Sequence, residues 1–310
     1  MGTIALDYDN DGRTDVFVCN DEHWNFLFHN EGGGKFREVA LTAGVSCSFF
    51  GTMVAGMGAD AADYNHDGRL DLFMTDYLRE NPILYQNLGG GCFEDVTMQA
   101  GAGAGSYPNI KWGCGFVDFD NDGHPDLFIG CGHLGEYPSQ IDLPLFREAH
   151  EIAPVLLRNT GDGKFVNVSD SSGDGMRVKL AARGIAFDDL DNDGRVDVVI
   201  LNANRPPTIL RNESVTGNHG IEIRLRGVKT NRDGVGAQVR VMAGDLAQLA
   251  EVHSGRGYQS HSRSRLHFGL GKQNRVDRIE VRWIGGGVDV LEDAAVDRLL
   301  TITEGTSPQP

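Results

Sequence analysis

One nine-residue acidic loop occurs four times in this chain, and that repetition limits the possible folds more than any other feature. The copies read Asp7-Tyr-Asp9-Asn-Asp11-Gly12-Arg-Thr-Asp15, Asp63-Tyr-Asn65-His-Asp67-Gly68-Arg-Leu-Asp71, Asp118-Phe-Asp120-Asn-Asp122-Gly123-His-Pro-Asp126 and Asp189-Leu-Asp191-Asn-Asp193-Gly194-Arg-Val-Asp197. Their fifteen aspartates account for nearly all of a net charge of −16. Two carboxylates about 5 Å apart repel by roughly 3 kcal/mol at an effective dielectric near 20, so the clusters call for a counter-charge. Calcium is the ion that suits the spacing. It takes about six to eight oxygen ligands in flexible geometry. Side chains at loop positions one, three and five converge if the chain turns sharply after them, and the glycine at position six permits that turn. A carbonyl near position seven and the aspartate at position nine complete the cage. All sixteen Asp and Asn side chains at positions one, three, five and nine are therefore candidate ligands of about four Ca2+ ions. Asn65 brings an oxygen without a charge, so the second loop is expected to be the weakest site. Asp/Asn/Gly turns without metal would explain one copy better than four.

The first half of the loop is shared with the EF-hand, which requires a Glu at position twelve and a flanking helix on each side. Position twelve here is Val18, Met74, Ile129 and Ile200. The runs after the last aspartate, such as Val16-Phe17-Val18 and Leu127-Phe128-Ile129, are apolar and read as buried strands. These are strand-flanked loops.

A second element recurs between the loops: Leu27-Phe28-His29-Asn30 leading to Gly34-Lys35-Phe36, Leu84-Tyr85-Gln86-Asn87 to Gly91-Cys92-Phe93, and Leu156-Leu157-Arg158-Asn159 to Gly163-Lys164-Phe165, with a partial copy at Leu210-Arg211-Asn212. Each reads as a strand, a turn and a second strand. One repeat thus carries about four short strands, the content of a propeller blade. The 42 glycines and 8% aromatics suit a turn-rich all-β chain. After Asn212 the pattern changes to period-two alternation, as in Ile221-Glu-Ile223-Arg-Leu225 and Ile279-Glu-Val281-Arg-Trp283, which predicts half-buried antiparallel strands of a small β-sandwich. The expected division is 1–215 for the repeats, 216–305 for the sandwich and 306–310 for a tail, with the sandwich folding on its own.

Charge follows the same division. Residues 1–212 hold 15 Lys/Arg and 32 Asp/Glu, whereas the rest is nearly neutral. So acidic a surface argues against nucleic-acid binding, and no apolar run reaches the length of a membrane span. Five cysteines leave an odd thiol and match no zinc pattern. Cys114 and Cys131, flanking the third loop, read either as a disulfide or as small buried thiols. His66 and His124, at non-ligand loop positions, are expected to face solvent. An insertion at 132–153, with a short helix after Pro144, reads either as a specificity loop or as decoration.

The acidic loop followed by an apolar strand resembles the FG-GAP or VCBS repeat of integrin-α-type propellers. The tail, with Thr230-Asn231-Arg232-Asp233-Gly234-Val235-Gly236-Ala237, Gly255-Arg256-Gly257-Tyr258-Gln259-Ser260 and Leu266-His267-Phe268-Gly269-Leu270-Gly271, is similar to the ASPIC/UnbV domain. The order of motifs resembles the cartilage acidic protein family. That resemblance implies a partial β-propeller of FG-GAP/VCBS-type blades followed by a β-sandwich, in proteins that bind calcium, are linked to adhesion and stand outside the cell, in the periplasm or on the cell surface. It implies no catalytic activity. Relatives carry a signal peptide and further repeats ahead of this point, so the chain reads as N-terminally truncated. An open arc is expected, with a first blade lacking its leading strands and residues 2–6 forming an unprotected edge.

Two functional readings follow. One is a calcium-binding interaction module recognising a protein or carbohydrate ligand. The other is a calcium-stabilised carbohydrate-active enzyme, or its accessory subunit, with a site at the propeller centre. No repeat carries an extra catalytic constellation, which favours the first. Arg256 and Tyr258 read as loop-fixing residues, with a ligand contact as the alternative.

Overall fold

A computed structural model describes residues 1–133 and 151–306. Most of the 132–153 insertion, including the helix expected after Pro144, lies outside the described residues. The apolar run after each acidic loop forms the second strand of a sheet, and each hairpin element adds the third and fourth. The first sheet holds β1 (Thr3–Leu6), β2 (Asp15–Val18), β3 (Phe26–Gly32) and β4 (Lys35–Glu38). The second holds β5 (Ala59–Ala62), β6 (Asp71–Met74), β7 (Ile83–Gly89) and β8 (Cys92–Asp95), and the third β9 (Lys111–Val117), β10 (Asp126–Cys131), β11 (Val155–Asn159) and β12 (Phe165–Asn167). A three-stranded fourth sheet follows, of β13 (Ala182–Asp188), β14 (Asp197–Asn202) and β15 (Thr208–Leu210). In all four the strands lie in sequence order, and every pairing is antiparallel.

The sheets are propeller blades. Their inner strands pack in the order β1, β5, β9, β13, while β1 and β13 make no comparable contact, so the blades form an arc. The first blade has all four strands, which corrects the expectation that its leading strands are missing. Each blade starts with the strand directly before its loop, and Thr3–Leu6 is that strand.

Short helices α1 (Ala40–Ala43) and α2 (Thr97–Ala100) follow the first two hairpins and end on Gly44 and Gly101 at φ 83° and 69°. A Cβ at Gly44 would stand 2.6 Å from the Phe93 carbonyl oxygen, and one at Gly101 2.8 Å from that of Phe165. Glycine thus ends each helix in left-handed space and lets it abut the next blade.

The tail is a two-sheet sandwich. One sheet orders β19 (Leu266–Gly271), β16 (His219–Arg226) and β22 (Arg298–Thr303); the other orders β18 (Leu246–Glu251), β17 (Gln238–Ala243), β20 (Arg275–Arg282) and β21 (Val288–Ala295). The alternating residues Ile223, Leu225, Val239, Val241, Ile279, Val281 and Trp283 share a core separate from those of the blades. The pairing of β16 with β22 is parallel, a departure from the purely antiparallel expectation. It arises because β22 follows a crossover from β21 in the other sheet.

Between β18 and β19 the chain leaves the sandwich and runs past the inner strands of all four blades. His253 Nδ1 lies 3.0 Å from the Ala5 carbonyl oxygen on β1. Gly257 and Ala59 on β5 exchange backbone hydrogen bonds. Tyr258 packs edge-on against Trp112 on β9, with centroids 4.9 Å apart. The Ser260 and Ser262 hydroxyls accept the β13 N–H groups of Ile185 and Phe187 at 2.9 and 3.1 Å. Residues 2–6 are consequently not an unprotected edge: Ile4 and Leu6 are buried, and Glu251 and His253 cover the inner side of the strand, bonding Asp7 N and Ala5 O.

All five cysteines are free. Cys114 stands opposite Ile129 and Cys131 opposite Lys111, so the register keeps the two thiols from facing each other. The buried-thiol reading applies to both.

Candidate functional site

The four acidic loops share one backbone. The glycine at position six has φ between 80° and 96°, and position four is left-handed as well, at Asn10, His66, Asn121 and Asn192. The second turn was legible in principle, since three of these residues are Asn, which tolerates that region better than most. The fold pulls the position-one carboxylate inward, where it accepts the N–H groups of positions five and six: Asp11 and Gly12 on Asp7, Asp67 and Gly68 on Asp63, Asp122 and Gly123 on Asp118, Asp193 and Gly194 on Asp189. The position-nine carboxylate is held from the hairpin, accepting the backbone N–H of Asn30, Asn87, Asn159 or Asn212 at 2.7–2.8 Å.

Three loops bring candidate ligands together. Oxygens of Asp7, Asp9 and Asp11, of Asp118, Asp120 and Asp122, and of Asp189, Asp191 and Asp197 lie within 4.8 Å of one another in each set. Asp126 stands beside the third set, buried and bonded to Asn159 and Phe119. Asp193 pairs with Arg195 instead, as Asp11 does with Arg13 and Asp67 with Arg69. In the second loop Asp63, Asp67 and Asp71 form no such trio among the described residues, and the Asn65 amide donates to Asp67 at 3.1 Å.

The buried carboxyls are held far from their ordinary behaviour. Burial, above all, pushes Asp15 and Asp63 up to about 7 and raises Asp71, Asp118 and Asp126 well above the usual carboxylate range, with neighbouring loop aspartates adding repulsion. Hard oxygen donors that cannot all carry charge without compensation are the donor set a calcium-like cation satisfies.

Two sets of loop partners escaped the sequence reading. From the second blade on, the hairpin Asn also reaches the preceding blade: Asn87 Nδ2 donates to Tyr8 O at 2.7 Å, Asn159 to Tyr64 O at 2.9 Å and Asn212 to Phe119 O at 2.8 Å, while Asn30 bonds Thr14 O of its own loop. Asn87, Asn159 and Asn212 thereby staple consecutive loops together. The residue before the Asn turns toward the loop in two blades: His29 Nδ1 lies 3.4 Å from Asp9 and Asp15, and Arg211 lies 2.7 Å from Asp191. The sequence signal for both is the recurring residue pair before the hairpin turn, which serves as a loop wall as well as a strand end.

His66 and His124 do not face solvent as expected. Their rings meet edge-on, 4.9 Å apart, and His66 Nδ1 lies 3.2 Å from Ala247 O, because the sandwich settles on the loops. Arg282 donates to Asn10 O, Asn218 to Asp120 O, and Arg265 to the side chains of Asn192 and Asp188. Arg256 pairs with the fully buried Asp60 and bonds Phe116 O, so Arg256 and Tyr258 both act as struts between tail and blades.

Comparison with known proteins agrees with this architecture. Residues 7–74 and 63–129 match the FG-GAP-like repeat, and residues 227–309 match the ASPIC and UnbV domain. Cartilage acidic protein 1 of Mus musculus is 28% identical over 306 residues, covering 96% of this chain and 43% of that protein. Its Homo sapiens counterpart is 29% identical over 283 residues, covering 88% and 39%. The chain thus spans about two fifths of the length of these relatives. Among solved structures, an Agrocybe aegerita lectin described as recognising non-reducing terminal N-acetylglucosamine aligns with 67% of this chain and 51% of its own at 19% identity and a TM-score of 0.36. BBS1N in complex with ARL6DN aligns with 99% and 81% at 10% identity and a TM-score of 0.38.

Proposed function

We propose that this chain, which joins FG-GAP-like repeats to a C-terminal ASPIC and UnbV domain and is similar to cartilage acidic protein 1, is a calcium-binding interaction module that works outside the cell or at its surface. The observation that carries this reading is the repeated loop, with its buried carboxyls raised by burial and by one another. The sixteen Asp and Asn side chains at positions one, three, five and nine are the proposed ligands, in about four sites. The ions offset about half of the loops' fifteen carboxylate charges, and the loops in turn form the floor on which the sandwich rests. The module recognises a protein or carbohydrate partner and carries out no catalysis. No helix among the described residues is long and apolar enough to cross a membrane.

The alternative, an enzyme acting on carbohydrate at the propeller centre, is disfavoured by what lies there. His253, Gly257, Tyr258 and Ser260 occupy the inner side of the arc, and the cavity beside His253 and Arg256 at its centre is only about 120 Å³.

Calorimetric titration of chelator-treated protein tests the proposal. Calcium should bind at several sites and raise Tm, each site adding about 2.7 kcal/mol at a hundredfold excess over its dissociation constant. Asp122→Ala should remove about one ion. Absence of calcium binding in wild-type protein would overturn the reading.

A further inference from the structure

The end of the blades away from the acidic loops carries a second recess, and no residue of the tail lines it. Each loop feeds the start of a second strand, so β6 runs from Asp71 at the loop end to Met74 at the far end. The connectors after Met74, before Ile83 and after Asp95 therefore meet at that far end. There, residues from the segments 48–54, 79–83 and 95–99, with Tyr107, enclose a cavity of about 420 Å³, inside the range of about 300–1,000 Å³ found for small-ligand sites.

One wall is built from extra sequence. The connector from α1 to β5, residues 44–58, is five residues longer than its counterpart from α2 to β9, and it carries Phe49, Phe50 and Met53. All three are exposed, Phe49 at 66% and Phe50 at 79%, and the two rings meet edge-on with centroids 5.5 Å apart. Met98 of α2 and Tyr107, exposed as well, line the same recess. Single exposed apolar side chains are ordinary, but five around one cavity mark a binding surface. The walls are tied in place. Asp95 accepts the Phe49 N–H at 2.8 Å, the Ser48 and Thr52 hydroxyls share a hydrogen bond of 2.6 Å, and Tyr107 O accepts the Arg79 N–H at 3.0 Å.

The polar part of the lining decides what fits. The side chains of Arg79 and Gln99 and the Tyr107 hydroxyl have no partner among the described residues. An apolar helix or acyl chain laid over them would bury these groups without hydrogen bonds, which is costly. Glu80 accepts the Ala55 N–H, and Asp95 those of Phe49 and Thr97. Two committed acids beside one free base give no net pull on an anion, in a chain whose charge of −16 repels anions at a distance. What suits the recess is a neutral ligand with C–H faces and an edge of hydroxyls. A pyranose ring has that form. Its axial C–H bonds lie against the negative face of an aromatic ring, while its hydroxyls bond groups such as the Gln99 amide and the Arg79 guanidinium.

We propose that this recess binds a neutral pyranose unit of a glycan, with Phe49, Phe50 and Tyr107 as stacking surfaces and Arg79 and Gln99 as hydroxyl partners. This rests on reading the chain as an interaction module and names the class of partner it takes.

The test is saturation-transfer NMR on the full chain in calcium. The probes are the methyl glycosides of glucose, galactose, mannose and N-acetylglucosamine, with capped trileucine as an uncharged peptide. Transfer to the ring C–H protons of at least one glycoside is expected. Its dissociation constant should rise about tenfold in Phe50→Ala and in Gln99→Ala and stay unchanged in Val215→Ala, an exposed apolar residue outside the recess. Both recess side chains are exposed, and an unchanged Tm shows the fold intact. Transfer to none of the glycosides, or transfer unaltered in both recess variants, overturns the proposal. So does binding of trileucine without any glycoside, which would make the recess a peptide groove. Calcium uptake by the same sample separates this result from the broader reading. A chain that binds calcium and no glycoside loses only the saccharide assignment; one that binds a glycoside and no calcium keeps it and loses the calcium sites.

Discussion

At the scale of single residues the loops behave as buried acids waiting for compensation. Asp15 and Asp63 lie near 7 when folded, against an ordinary 3.8. A carboxyl raised on folding adds stability below its unfolded pKa and loses that contribution as pH climbs through the folded value. Chelated protein should therefore lose stability between about pH 4 and 7. With calcium, which binds the ionised carboxylates, the trend should reverse and stability should fall on acidification. Melting curves at pH 5 and 8, with chelator and with calcium, check both signs; equal chelated Tm values would mean the acids are compensated within the protein. A second residue-scale expectation concerns Asn65. Calcium affinity follows ligand charge, so the second loop should fill last and Asn65→Asp should tighten it. A titration in which that loop fills first would reject the charge-count argument.

At the scale of elements, the hairpin asparagines set the spacing between blades. Asn87 is buried and ties Tyr8 O of the first loop to Leu70 O of the second, while its own oxygen accepts Gly89 N–H. Asn87→Ala leaves those buried groups without their partner, at about 1–3 kcal/mol for each unsatisfied group, and should lower Tm by several degrees and loosen calcium binding in both adjoining loops. An unchanged melting curve would refute the stapling role. Much of this level was legible beforehand. The Asp spacing marked the loops, the apolar runs the second strands, and period-two alternation the sandwich. What escaped notice depends on through-space neighbours. Nothing local to Asn87 names Tyr8 as its partner, and Gly44 shows its necessity only once Phe93 is seen against it. The helices α1 and α2 are one turn long, too short for periodicity to reveal.

For the whole molecule, the question is how two units of different character hold together. The sandwich has its own core, and we expect a fragment beginning near residue 216 to fold alone. The blades by themselves would lose the cover that Glu251, His253, Ser260 and Ser262 give their inner strands, and exposed strand edges invite association. A 1–215 fragment should accordingly aggregate while the tail fragment stays soluble; the opposite outcome would show that the arc needs no cover. The sequence could not reveal this arrangement, because Gly255-Arg256-Gly257-Tyr258 looks like an ordinary sandwich turn until Asp60 and Trp112 appear beside it.

The tail segment that passes His253 to the first blade, Gly257 to the second, Tyr258 to the third and Ser260 to the fourth acts as a ruler. Repeat proteins ordinarily gain and lose units by duplication and deletion with little penalty, since each unit touches only its neighbours. Here a single strip of chain is cut to four stations. A blade added or removed inside the arc would present those contacts out of step, so in this chain a change of blade number would disturb every station beyond it, whereas a substitution within one blade would not.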